Sequence, residues 1–270
     1  MIDKRAIISP DAIIGEGCEI GANAYIGENV KLGNNVKVMA NAYLEHCEIG
    51  DGTLISPFAT IGTMPQDLGY KGEPTKSIIG KNCIIKEYVT VHRAAAGCEH
   101  DATIVGDNCL LMTSSHVAHN CILEDNVILA NLATLGGHVT VGKGAFIGGM
   151  SVFHQNIRIG EMCIVSGFSA SRQDIPPYCK ADGRLPLIHG INAIGLKRKG
   201  LTPDERTNLK RAFKILDSSE YTTTKALQII EETLTMDKYV THLVEFIRAS
   251  KRGVLVRSTR KGATAESMGD

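Results

Sequence analysis

The stretch Ser115-His116-Val117-Ala118-His119-Asn120-Cys121-Ile122-Leu123-Glu124-Asp125-Asn126-Val127-Ile128-Leu129-Ala130-Asn131-Leu132-Ala133-Thr134-Leu135 places an aliphatic residue at every sixth position: Val117, Leu123, Leu129 and Leu135. An amphipathic helix needs spacings of three and four, and a half-buried strand needs strict alternation. A spacing of six fits a solenoid in which each hexad is a short strand followed by a corner, with one side chain per hexad directed into a narrow core. The rhythm extends upstream to Val105 and Leu111, and downstream through Val141, Ile147, Phe153, Ile159 and Val165. It also runs from the N-terminus as Ile8, Ile14, Ile20, Ile26, Leu32, Val38 and Leu44. After a one-residue slip it continues at Ile49, Ile55 and Ile61, and after a gap at Ile79, Ile85 and Val91.

The other hexad positions agree. Two residues before the aliphatic one, on the same strand face, stands a mostly small residue such as Ala24, Ala42, Cys109, Ser115, Cys121 or Ala133. Three residues after it, Asn or Gly recurs, as at Asn23, Asn29, Asn35, Asn41, Asn108 and Asn126; these tolerate the positive φ that a sharp corner demands. Three hexads then close one coil of 18 residues, and residues 1–190 read as an all-β solenoid, a triangular parallel β-helix.

Two stretches break the rhythm. In residues 63–77 the inward phase would fall on Asp67 and Glu73, so this segment must leave the solenoid, and residues 92–102 form a second excursion. Long loops on a rigid scaffold tend to carry function. The repeat fades after Val165, and Ile175-Pro176-Pro177 marks its exit. Residues 191–270 change to helical character. Thr202-Pro203-Asp204-Glu205 combines an N-cap, a proline at the first helical position and a capping-box glutamate. Further amphipathic segments lie near Thr224–Thr235 and Asp237–Ser250, giving three helices and a polar, frayed tail from Lys251.

Composition bounds the function. The 270 residues carry 29 basic and 29 acidic side chains, so no net field draws the chain to nucleic acid or membrane. No apolar run is long enough to span a bilayer and Met1–Arg5 begins no signal sequence, which points to the cytoplasm. Six of the eight cysteines (Cys18, Cys47, Cys83, Cys109, Cys121 and Cys163) occupy the small-residue phase, as buried reduced thiols would.

Chemistry concentrates in one band. Coils repeating every 18 residues stack His119, Gly137 and Gln155 above one another, with His138 and His154 as neighbours and His116 close by. One edge of the prism therefore gathers imidazoles, a glycine backbone and an amide.

The hexad pattern resembles the hexapeptide-repeat transferases. The runs Ser115–Cys121, Leu135–Val139, Gly148-Gly149-Met150 and His154-Gln155 resemble the UDP-N-acetylglucosamine O-acyltransferases of lipid A biosynthesis. So do Pro65-Gln66-Asp67-Leu68, Gly72-Glu73-Pro74, Gln173–Tyr178 and Gly195-Leu196-Lys197-Arg198. The resemblance spans essentially the whole chain. It implies coils that wind left-handed and transfer of an (R)-3-hydroxyacyl group from acyl carrier protein to the sugar 3-hydroxyl. It also implies a homotrimer with sites between subunits, and neither metal nor cofactor. By resemblance His119 is the general base and Gly137 the oxyanion donor, roles that suit a near-neutral imidazole and an unobstructed N–H. Gln66, Asp67, His116, His138 and Gln155 match acceptor-site positions, and His154 shapes the site. Asn192 and Arg198 match residues near the nucleotide, and Gly167 matches the floor of the acyl groove. The basic run Lys197-Arg198-Lys199 is a candidate docking surface for the acidic carrier protein.

Three positions depart from that family's pattern. Asn120 follows His119 where many members have aspartate, Gly69 replaces a loop lysine with Lys71 two residues on as its candidate substitute, and Lys199 stands in place of a second arginine. Three alternatives stay open on sequence: N-acyl transfer to an amino sugar, a zinc carbonic anhydrase on the same solenoid, and a scaffold without activity.

Overall fold

A computed structural model describes residues 1–96 and 101–256. The sixfold rhythm is realised as three sheets of nine, eight and ten strands, most of them two residues long and all parallel but the last. Each parallel strand pairs with the one a full coil away. Val117 registers with Leu135 and Leu135 with Phe153 in the first sheet, while Leu123 registers with Val141 in the second. The aliphatic series from Ile20 to Val165 is buried almost completely, and the cysteines of the small-residue phase fill the space beside it as free thiols. Burying one such aliphatic side chain stabilises the fold by about 1.5–3 kcal/mol, and each sits directly above its counterpart in the next coil. Ile8 and Ile14 at the open end are only partly covered.

The corners adopt the left-handed backbone the sequence predicts, with φ near 56° at Asn23, Asn29, Asn35 and Asn108. Bulky residues do the same at Phe58, Tyr88, Leu132, Met150 and Phe168, each at φ between 57° and 62°. A side chain in this region costs roughly 1–2 kcal/mol, so stacking with the neighbouring coils imposes the conformation where sequence preference does not.

The solenoid runs further than the aliphatic rhythm indicates. Ala170–Ser171 pairs with Val152–Phe153, Ile175 bridges Ile159, and Cys179–Asp182 pairs in parallel with Ile164–Val165 before an antiparallel return through Leu187–Ile191. Ile175-Pro176-Pro177 is thus a corner of a last, shortened coil and not the exit.

Four helices follow: α1 (Ala193–Arg198), α2 (Pro203–Asp217), α3 (Thr223–Thr233) and α4 (Lys238–Arg248). The capping box at Thr202 and Glu205 forms as its sequence predicts, and Thr222 and Asp237 cap α3 and α4. The short α1 is additional to the three expected helices. Arg158 joins the two parts: it donates to the buried Asp174 carboxylate at 3.0 Å and to the Phe246 carbonyl at 2.7 Å. The expected frayed tail is docked at its start, where Asp174 exchanges backbone hydrogen bonds with Gly253 and Leu255; its remainder, 257–270, lies outside the described residues.

Candidate active site

After the strand His116–Val117 the chain turns at His119-Asn120; one coil later it turns at Gly137-His138, and then at Gln155-Asn156. The His138 N–H donates to the His119 carbonyl and the Asn156 N–H to the Gly137 carbonyl, each at 3.0 Å. Residues 119, 137 and 155 therefore share one edge.

Gly137 does not adopt the positive φ that a corner glycine would explain. A Cβ on it would lie 2.6 Å from His119 Cε1 and 2.7 Å from Nε2. The His119 ring occupies the volume a side chain would take, with its Nε2 edge over the Gly137 backbone. The Gly137 N–H has no hydrogen-bond partner among the described residues.

The other ring nitrogen is fixed by Asn120, as a neutral acceptor in place of a carboxylate. His119 Nδ1 lies 2.8 Å from Asn120 Oδ1. That same oxygen accepts from the Ala95 N–H at 2.9 Å, and Asn120 Nδ2 donates to the Ala95 carbonyl at 2.9 Å. The Ala95 peptide group distinguishes the two ends of the amide, so the end facing His119 is oxygen. In the neutral ring Nδ1 then carries the proton, leaving the Nε2 lone pair free on the Gly137 side. Asn120 is itself buried, with its N–H bonded to Thr103 Oγ1 at 2.8 Å.

Three imidazoles around this pair have lowered pKa values. His138 meets the His119 ring edge-on at 5.2 Å; its pKa is lowered by burial and by His119, against an opposing pull from the Asp67 carboxylate. His116 is half-buried, bonds Thr90 Oγ1 at 2.6 Å through Nδ1, and is lowered by burial and then by His119. His92, which sequence reading left unassigned, packs edge-on against His116 at 5.0 Å, and burial lowers its pKa to about 4. His154 and Gln155 are exposed, and Arg252 reaches His154 Nδ1 at 2.9 Å. A cavity of about 800 Å³ opens there, lined by His154, Arg172, Gln173, Arg184 and Leu185 among others.

Comparison with known proteins matches the same architecture. The family described as Udp N-acetylglucosamine O-acyltransferase, Domain 2, matches residues 174–255, and the bacterial transferase hexapeptide family matches residues 102–137. The curated acyl-[acyl-carrier-protein]–UDP-N-acetylglucosamine O-acyltransferase of Thermodesulfovibrio yellowstonii is 43% identical over 77% of this chain and 80% of its own length. That of Burkholderia orbicola is 39% identical over 77% and 80%. Among solved structures, a UDP-N-acetylglucosamine acyltransferase from Bacteroides fragilis superposes with a TM-score of 0.91 at 38% identity, covering 94% of this chain and 99% of that one. The enzyme from Acinetobacter baumannii gives 0.90 at 33% identity, covering 94% and 99%.

The chain belongs to the UDP-N-acetylglucosamine O-acyltransferase family.

Within this family member, the remaining candidates lie at different distances from the histidine edge. The charge of Asp67, on the 64–75 loop, is felt at His138, while Gln66 and Lys71 are exposed on the same loop. Gly167 stands on another edge of the prism, above Gly149, where an added Cβ would lie 3.0 Å from the Gly149 carbonyl. Asn192 caps α1, accepting from the Gly195 N–H at 3.0 Å and donating to the Met162 carbonyl at 2.9 Å, so its amide is engaged inside the chain. Arg198 ends α1, exposed, beside Lys197 and Lys199. One chain alone does not bring Gly167, Asn192 and Arg198 to His119. Ala95, Thr90 and Thr103, which hold the histidines from behind, carried no sequence signal: they are small residues whose roles depend on chain folding over a loop.

Proposed function

We propose that this chain transfers an (R)-3-hydroxyacyl group from acyl carrier protein to the 3-hydroxyl of UDP-N-acetylglucosamine. The observation that carries the reading is the Nε2 edge of His119 lying over Gly137, in a tautomer that leaves Nε2 unprotonated. The acceptor hydroxyl gives its proton to Nε2 as its oxygen attacks the thioester carbon. The Gly137 N–H meets the oxyanion that forms, and collapse expels the phosphopantetheine thiolate, which takes the proton from the imidazolium. Asn120 accepts from Nδ1–H throughout and supports that imidazolium as a neutral dipole. No acyl-enzyme, metal or other cofactor enters this scheme. Asp67, Gln66, His116, His138, Gln155 and His154 surround the acceptor, with Lys71 and Arg198 toward its phosphates.

Acyl transfer between adjacent subunits of a homotrimer fits the surface. The outer face of the ten-stranded sheet carries an unbroken ladder, Leu54, Ile84, Leu110, Ile128, Phe146 and Ile164, each in register with the next. Phe58, Tyr88, Leu132, Met150 and Phe168 stand exposed on the adjoining edge. A second copy covering this face would bring Gly167, Asn192 and Arg198 of one subunit toward the histidine edge of another. Lys197, Arg198 and Lys199 offer the acidic carrier protein a basic landing surface. No helix among the described residues is long and apolar enough to cross a membrane, and the substrates place the reaction in the cytoplasm.

Relatives at about 40% identity carry O-acyltransferase names, which favours this reading over an anhydrase. The purified protein, supplied with acyl carrier protein loaded with (R)-3-hydroxyacyl groups, is offered the 3-hydroxy and 3-amino forms of the UDP-sugar side by side. Mass spectrometry of an ester product on the hydroxyl form supports the reading; transfer to the amine alone, or to neither, overturns it. His119→Ala abolishes transfer while leaving a folded assembly.

A further inference from the structure

The loop 64–75 carries Gln66 and Asp67, yet it is not a strand and does not lie in the core. Its internal hydrogen bonds are local: Asp67 Oδ1 accepts from the Gly69 N–H, Glu73 accepts from the Lys71 N–H, and Tyr70 Oη donates to the Glu73 carbonyl. Among the described residues, one hydrogen bond joins residues 66–74 to anything outside the loop. It runs from Arg93 Nε to Tyr70 Oη at 3.1 Å. The guanidinium also lies over the Tyr70 ring at 5.5 Å.

Arg93 is held firmly on its other side. Nη1 donates to Glu45 Oε1 at 3.0 Å and to the Gly62 carbonyl at 2.9 Å, and the side chain is only 12% exposed. Glu45 is fixed in turn by Tyr43 Oη, which donates to its other oxygen at 2.9 Å. The loop's root is built against the same point. Gly62 has φ +81° and passes so close to the Glu45 carbonyl that a Cβ would lie 1.7 Å from it. The Arg93 N–H bonds the Thr63 carbonyl at 3.0 Å, and Thr75 Oγ1 bonds the Ala94 carbonyl where the loop returns. Two residues after Arg93, the Ala95 peptide fixes the amide of Asn120.

We propose that Arg93 is a positioning residue for the sugar acceptor: it ties the middle of the 64–75 loop to Glu45 and Gly62 on the solenoid and so holds Gln66 and Asp67 at the acceptor site. The segment Arg93–Ala95 then fixes both sides of the reaction centre, the loop through a side chain and the base through a peptide group. A buried guanidinium with donors committed to two solenoid acceptors and one loop hydroxyl supplies direction that a lysine, a flexible point charge, does not. The proposal rests on the reading that Asp67 and Gln66 contact the acceptor.

Arg93→Met and Tyr70→Phe are compared with the wild-type enzyme at saturating acyl carrier protein, alongside Asp67→Asn as a direct loop variant. Losing the anchored geometry raises KM for UDP-N-acetylglucosamine, and its Kd by calorimetry, on the order of tenfold. The kcat at saturating sugar, the KM for the acyl donor and the Tm of Tyr70→Phe stay close to wild type, and Arg93→Lys recovers part of the effect. Unchanged sugar KM in Arg93→Met and Tyr70→Phe overturns the proposal if Asp67→Asn raises it, and overturns the acceptor role of the loop as well if Asp67→Asn does not. A loss confined to kcat and Tm, with sugar Kd unmoved, assigns Arg93 a stabilising role only and also overturns the proposal. If Arg93→Met fails to fold, Tyr70→Phe, which removes one hydroxyl, decides the question.

Discussion

Asn120 Oδ1 stands 2.8 Å from His119 Nδ1 while the Ala95 peptide holds both polar ends of the same amide. A carboxylate at this position could still accept from His119, but its second oxygen would face the Ala95 carbonyl where Asn120 now donates. Asn120→Asp is therefore expected to lower kcat/KM by about tenfold, although the family resemblance leads one to expect aspartate there. Steady-state kinetics decide it, and a gain in rate would mean that charge on the orienting residue outweighs its fit to Ala95.

Gly137→Ala tests the neighbouring contact. Because Gly137 does not use positive φ, alanine is compatible with the backbone, and the nearest collisions are with the His119 ring. The variant should keep its Tm within a few degrees yet lose on the order of a hundredfold in kcat, as a reacting group displaced by about an ångström does. Equal losses in Tm and rate would make Gly137 a folding requirement instead.

These two contacts mark where the sequence was legible and where it was not. The alignment of 119, 137 and 155 follows from an 18-residue coil, since each inward aliphatic residue locks its neighbours into register. The Ala95 clamp spans 25 residues and a loop, so no periodicity could disclose it. The last coil carries no regular rhythm because Ile175 follows Ile159 by 16 residues, breaking the count while keeping the stacking. Helix α1 was missed because its six residues are too few to display an apolar stripe, and its start depends on Asn192 reaching back to Met162.

Stability should fall in acid through His92. Burial is the main cause of its depressed pKa, about 4 against an ordinary value of about 6.5, and the groups facing it are His116 and His119. Between those two values the unfolded chain binds a proton that the folded chain does not. The unfolding free energy therefore declines as pH drops from about 6.5 to about 4, by at most about 1.4 kcal/mol per pH unit from this group. His92→Gln should flatten that part of the curve in urea titrations run at successive pH values. An unaltered slope would assign the acid sensitivity to other groups.

The outward apolar ladder makes the last prediction. Ile128 lies between Leu110 and Phe146 at the centre of the ten-stranded sheet, facing away from the core, which is filled by its neighbours Val127 and Leu129. Ile128→Glu leaves those inward side chains untouched, so the solenoid should fold with its circular dichroism and inward packing intact. In an assembly the new carboxylate would be buried without a partner, at a cost of several kcal/mol that one interface cannot absorb. Sedimentation velocity should find a trimer for the wild type and monomer for the variant at micromolar concentration. Transfer activity should fall with the trimer fraction, since the proposed acceptor site draws Asn192 and Arg198 from the neighbouring subunit. A monomeric variant with full activity would place the whole reaction centre within one chain.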